Sequence, residues 1–127
     1  MKWLLFSIAL GFFTTTTNAQ NVNDVVHFAT TNHDFGRIKQ NVPVSYAFSF
    51  TNKGKEKIII EKTTASCGCT TPKKPEKPIQ PGKTDIIQVQ YNAVNKGSFN
   101  KQVNVYVVGY KEPIVLTIKG DVGADSW

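Results

Sequence analysis

Cys67 and Cys69 are the only two cysteines of the chain, and a single glycine separates them in the run Ser66-Cys67-Gly68-Cys69-Thr70. Two extended residues span at most ~7 Å, and a disulfide needs Cα atoms about 4.4–6.8 Å apart, so a bridge across Gly68 is geometrically accessible. It would close a very small ring and restrict the unfolded chain little. Four readings of the pair stand open. The first is structural, as an oxidised loop clip or as two thiols packed at the end of a domain, where buried cysteine behaves as a small hydrophobe. The second is thiol–disulfide exchange, helped by Lys62, Lys73 and Lys74 nearby in sequence. The third is binding of a soft ion such as copper(I) by two thiolates. The fourth is linkage to a cysteine of a partner.

The structural reading leads, because the other chemistries want residues the chain scarcely offers. Redox pairs usually take the form Cys-x-x-Cys at the start of a helix, and no helical periodicity surrounds this one. A closed zinc site wants four ligands. His27 and His33 are the only histidines, and nothing in the sequence places either beside the pair. Asp34-Phe35-Gly36 occurs without a glycine-rich loop or a catalytic-loop motif, so Phe35 is expected to plug the core and Gly36 to turn the chain. Gly-x-Ser-x-Gly, His-Glu-x-x-His and a phosphate loop are all missing. No enzyme class is indicated.

The elements that must hold the pair begin after an address segment. Lys2 precedes an apolar run from Trp3 to Phe13, and Thr17-Asn18-Ala19 sets small residues where signal peptidase cuts. That predicts a signal peptide over 1–19 and a mature chain from Gln20, periplasmic or secreted. The run is too short to cross ~30 Å of hydrocarbon as an anchor. Removing 1–19 from 127 residues leaves 108, the size of one domain with a real core of its own. The full chain has 15 basic and 9 acidic side chains, a balance that suits a solvated surface and could also favour an anionic envelope component.

Within the mature chain the hydrophobic period is two. Val25–Phe28 has strand chemistry and serves as a lead-in within 20–32. Val44, Tyr46, Phe48 and Phe50 point one way, opposite Ser45, Ala47, Ser49 and Thr51. Asn52-Lys53-Gly54-Lys55 turns the chain, and Ile58-Ile59-Ile60 opens a strand running toward the cysteines. Pro72, Pro75, Pro78 and Pro81 alternate with Lys73, Lys74 and Lys77, a density that excludes a central strand and implies an extended connection at an edge. This stretch lacks interleaved aromatics, so nucleic acid is not an expected partner. Ile87, Val89 and Tyr91 form the next inward face. Asn95-Lys96-Gly97 then reads as a hairpin-type turn, followed by Val103, Val105 and Val107 and by Ile114, Leu116 and Ile118. Gly120 is expected to end the last strand, before a tail at 123–127. About seven short antiparallel strands with regular turn signals predict an all-β, immunoglobulin-like two-sheet sandwich over 33–122.

Asp34-Phe35-Gly36, Phe48-Ser49-Phe50-Thr51-Asn52-Lys53-Gly54, Ser66-Cys67-Gly68-Cys69-Thr70, Pro78-Ile79-Gln80-Pro81-Gly82-Lys83 and Leu116-Thr117-Ile118-Lys119-Gly120 occur in this order. Together they resemble the bacterial family called Domain of Unknown Function 1573, over roughly residues 33–122. The resemblance implies an immunoglobulin-type sandwich akin to the abnormal-spindle and major-sperm-protein group, and an export signal in many members. No activity is attached to the family. The expected function is that of an exported, non-catalytic module without a cofactor. It would bind another envelope protein or an anionic envelope component through an edge strand or a loop-end surface, with Lys73, Lys74 and Lys77 as the candidate contact. The alternative is a thiol-redox or copper-binding protein centred on Cys67 and Cys69, with Ser66, Gly68 and Thr70 as supporting residues.

Overall fold

The computed structural model describes residues 21–124 and, apart from these, Gly11. The expected signal peptide and residues 125–127 of the tail therefore lie outside the described residues, Gly11 excepted. Among the described residues no helix is long and apolar enough to cross a membrane.

One helical turn, α1 (Val22–Val25), precedes eight strands: β1 (Val26–Phe28), β2 (Asn32–Lys39), β3 (Val44–Asn52), β4 (Ile60–Ala65), β5 (Thr70–Lys73), β6 (Thr84–Tyr91), β7 (Gly97–Val107) and β8 (Ile114–Gly123). They form two four-stranded sheets, ordered β1-β3-β6-β5 and β2-β8-β7-β4. The inward residues follow the period of two. Phe48, Phe50, Ile87, Val89, Val103, Val105, Leu116 and Ile118 are all buried between the sheets. Burying each such side chain contributes about 1.5–3 kcal/mol, which makes this layer the main stabilising term.

The all-β sandwich is as expected, but four features differ from the sequence reading. First, β2 adds an eighth strand, and it runs parallel to β8, with a register shift between Asp34 and Arg37. The first stretch of chain thus begins in one sheet as β1 and crosses to the other as β2. Second, Gly36, at φ 68°, sits inside that shift, so it bulges β2 instead of turning the chain. Third, both Asn-Lys-Gly segments carry the chain from one sheet to the other and close no hairpin, since β3 and β6 belong to one sheet and β4 and β7 to the other. Fourth, β8 continues through Gly120, which pairs with Phe99. A Cβ on Gly120 would stand 2.7 Å from the Phe99 ring and 2.9 Å from the Gly36 carbonyl oxygen. The glycine is there to admit the ring, and the strand runs on.

Asn52 extends the inward series of β3 by one more step and is fully buried. Its Nδ2 donates to the carbonyls of Glu56 at 2.8 Å and Ile79 at 2.9 Å, and its Oδ1 accepts from the Gly54 N–H at 2.9 Å. One side chain thereby pins the β3–β4 and β5–β6 loops together, beside the bridge between Ile58 and Ile79.

Candidate functional site

β4 ends and β5 begins at one end of the sandwich, and the cysteine loop joins the two sheets there. Cys67 and Cys69 are bonded as a disulfide, with Cα atoms 5.3 Å apart. Both residues are half-buried and Gly68 is exposed. Several bonds hold the loop on either side. The Ser66 N–H donates to the Gln102 carbonyl at 3.1 Å, and the Gln102 N–H donates back to Ser66 Oγ at 3.3 Å. The Asn92 N–H donates to the Cys69 carbonyl at 2.9 Å, and the Thr70 N–H to the Cys67 carbonyl at 3.4 Å. Thr70 is buried, and its Oγ1 lies 3.8 Å from each sulfur. Next to it in the sheet, Tyr91 stacks on Phe99 with ring centroids 4.0 Å apart. Burial pushes the Tyr91 phenol above its ordinary value of 10.0.

The same end carries the β2–β3 and β6–β7 loops. The Asn41 N–H donates to the Ala93 carbonyl at 2.8 Å, and the Gln40 side chain donates to the Val94 carbonyl at 2.9 Å. Both Val42 and Val94 are about half exposed on these loops.

Two of the three lysines expected to act on the thiols are engaged elsewhere. Lys62 Nζ sits 4.9 Å from the centre of the Tyr106 ring, and Lys74 pairs with Glu76 at 3.3 Å. Lys73 lies on the exposed face of β5 beside Gln88, and Lys77 is exposed in the β5–β6 loop. His27 and His33 belong to β1 and β2, at the edges across the sandwich from the cysteines. Among the described residues no group of three or more His, Cys, Asp or Glu side chains could hold a metal ion. A groove of about 1020 Å³ lies at the opposite end, lined by Lys53, Lys55, Lys57, Glu56, Asp24 and Glu112 among others, with both signs of charge interspersed.

The feature that sequence reasoning missed is a gap in one sheet. β1 pairs with β3 only from Phe50 to Asn52, followed by one bond from the Ala29 N–H to the Ser49 carbonyl. Beyond that point the chain leaves for the other sheet. Asn52 N–H bonds toward β6 and Lys53 N–H toward β1, which fixes the alternation along β3. The N–H and C=O groups of Ser45 and Ala47 therefore point to the vacated side. Among the described residues these four groups have no backbone partner, and both residues are exposed. On the inner face beside this gap His33 stacks on Tyr46, ring centroids 3.7 Å apart and planes 9° from parallel, tying β2 to β3 across the sandwich.

The edge strands β2, β4 and β5 are guarded in the ways sheets usually are. β4 carries Glu61 and Lys62 at a register shift, β5 is four residues long and contains Pro72, and β2 is bulged between Asp34 and Arg37. Val44–Ser49 has neither charge, proline nor bulge. The signal for this was the polar stretch from Thr30 to His33 after a short apolar run, too short to cover a nine-residue neighbour.

A family profile described as "Protein of unknown function (DUF1573)" matches residues 26–122. No curated protein matches the chain in sequence. Among solved structures, a protein of unknown function from Porphyromonas gingivalis W83 is similar at TM-score 0.66 and 14% identity, over 76% of this chain and 46% of that one. The VesB protease of Vibrio cholerae is similar at TM-score 0.60 and 13% identity, over 78% of this chain and 32% of the protease. The ASH/PapD-like domain of human CEP192 is similar at TM-score 0.65 and 6% identity, over 81% of this chain and 88% of that domain. These likenesses support the immunoglobulin-like two-sheet sandwich as the fold. The chain spans less than half the length of the first two of these structures.

Proposed function

The chain belongs to the DUF1573 family, and on that premise we propose that it is an exported, non-catalytic immunoglobulin-like module that binds another envelope protein by taking a strand from it. One observation carries this reading: the unpaired backbone of Ser45 and Ala47 along an unguarded stretch of β3. An extended segment laid there would make up to four main-chain hydrogen bonds and restore the column that β1 leaves unfinished. Side chains on the segment's inner face would meet His33 and Tyr46, which favours apolar or aromatic residues at alternate positions. The small outer side chains of Ser45, Ala47 and Ser49 would leave its outer face unobstructed.

Export is supported by Lys2, the apolar run to Phe13 and Thr17-Asn18-Ala19. A cysteine pair held as a disulfide fits an oxidising compartment.

The test is site-specific photocrosslinking in cells. A photoreactive residue at position 45 should give one discrete protein adduct, and the same group at Thr64 on β4 or Thr71 on β5 should give none. Ala47→Pro should abolish the adduct while the protein stays folded, because the Ala47 N–H takes no part in the ladder with β6. An adduct that survives Ala47→Pro, or one that forms equally from all three positions, would rule the reading out.

A further inference from the structure

We propose that the Cys67–Cys69 disulfide is a two-electron acceptor for a partner dithiol, and that Thr70 serves its leaving thiolate. The bond does little that the rest of the structure does not already do. It spans one intervening residue, and the entropic effect of a cross-link shrinks with the loop it closes. The loop's ends are held by Ser66, Gln102, Asn92 and the Thr70–Tyr91 pairing, and none of those bonds passes through a sulfur. Opening the disulfide therefore leaves the frame in place.

A disulfide that is attacked needs access and a stabilised leaving group; it does not need the helix start that activates a nucleophilic thiol. Both requirements are met here. A Cβ added at Gly68 would meet nothing within 4 Å, so the loop's crest is open. Cys69 packs against the hydrophobic core and Cys67 does not, so an incoming thiolate meets the Cys67 sulfur first. Attack forms a mixed disulfide between the partner and Cys67, and the electron pair of the broken S–S bond leaves on Cys69. The Thr70 hydroxyl, 3.8 Å from that sulfur, donates to the thiolate until a proton from solvent neutralises it. The partner's second thiolate then attacks the mixed disulfide and releases Cys67, which also takes up a proton. In sum the protein's disulfide becomes two thiols and the partner's two thiols become a disulfide. The exchange is independent of strand capture, so Ala47→Pro should leave it unchanged.

The test uses the oxidised mature chain and dithiothreitol as the dithiol probe, under native conditions, with timed alkylation and intact mass. The expected result is uptake of two alkyl groups with an unchanged circular dichroism spectrum. Thr70→Val should slow the reaction about tenfold, the worth of one hydrogen bond to a charged group, and Thr70→Ser should restore the rate. A doubly substituted Cys67→Ser, Cys69→Ser chain should melt within a few degrees of the parent. Reduction only after denaturation, a large fall in melting temperature of the double variant, or an unaltered rate in Thr70→Val would each overturn the proposal.

Discussion

Two residues show how much a single side chain decides in this sandwich. Asn52 occupies an inward position that its strand's pattern reserves for apolar groups, and it is tolerated because three main-chain groups satisfy it. Asn52→Ala would leave the Gly54 N–H and two carbonyls without a partner, a loss of about 3 kcal/mol that chemical denaturation should report. Gly120 is held by the opposite constraint, since any side chain there collides with Phe99 and with the Gly36 carbonyl. Gly120→Ala should cost about 1–3 kcal/mol. Trimming the ring by Phe99→Leu in the same chain should recover part of that loss, a coupling that a double-mutant cycle measures. Both residues stand in the sequence as ordinary turn and strand-end signals. Asn52 betrays its burial only by extending the series Val44, Tyr46, Phe48, Phe50, and Gly120 only by facing Phe99 in a register that the sequence does not display.

At the scale of elements, the inward faces of β3, β6, β7 and β8 were legible because each buries one side and solvates the other, which leaves an unmistakable alternation. The sheet to which each strand belongs was not legible. Asn-Lys-Gly has the chemistry of a tight turn, yet such a turn can close a hairpin or lead across to the facing sheet, and the choice rests on packing far away in sequence. The same limit hid the candidate site. The cysteine pair announces itself by composition, but the free edge of β3 exists only because β1 stops early and β2 joins β8. Proline substitutions separate the two sides of β3. Ala47→Pro removes an N–H that faces the vacant side and should cost ~1 kcal/mol or less. Phe48→Pro removes a ladder bond to β6 and the buried ring together, and should lower stability by more than about 4 kcal/mol. Thermal melts of the two variants should differ by well over ten degrees.

For the molecule as a whole, the two ends of the sandwich differ in character. One end is a mixed-charge groove beneath α1 and the lysine-rich turn, and the other holds the disulfide, the exposed valines and the stacked Tyr91 and Phe99. Tyr91 links this end to overall stability. Its phenol ionises above 10.0 in the fold, so the unfolded chain gives up the proton first. Its contribution is constant below pH 10 and is lost as the pH rises through the raised value. Denaturation midpoints should therefore fall above pH 10, and Tyr91→Phe should fall less steeply, the difference isolating this group from the lysines. The vacated edge of β3 makes the sandwich an unfinished structure at one place. Single-residue amide hydrogen exchange over Val44–Ser49, recorded on the mature chain alone and then with its crosslinked partner, tests it most directly. Ser45 and Ala47 should exchange quickly in the free chain while Tyr46 and Phe48 are protected, and the partner should slow Ser45 and Ala47 selectively. Uniform protection of all four amides in the free chain, or a partner that leaves Ser45 and Ala47 fast, would contradict it.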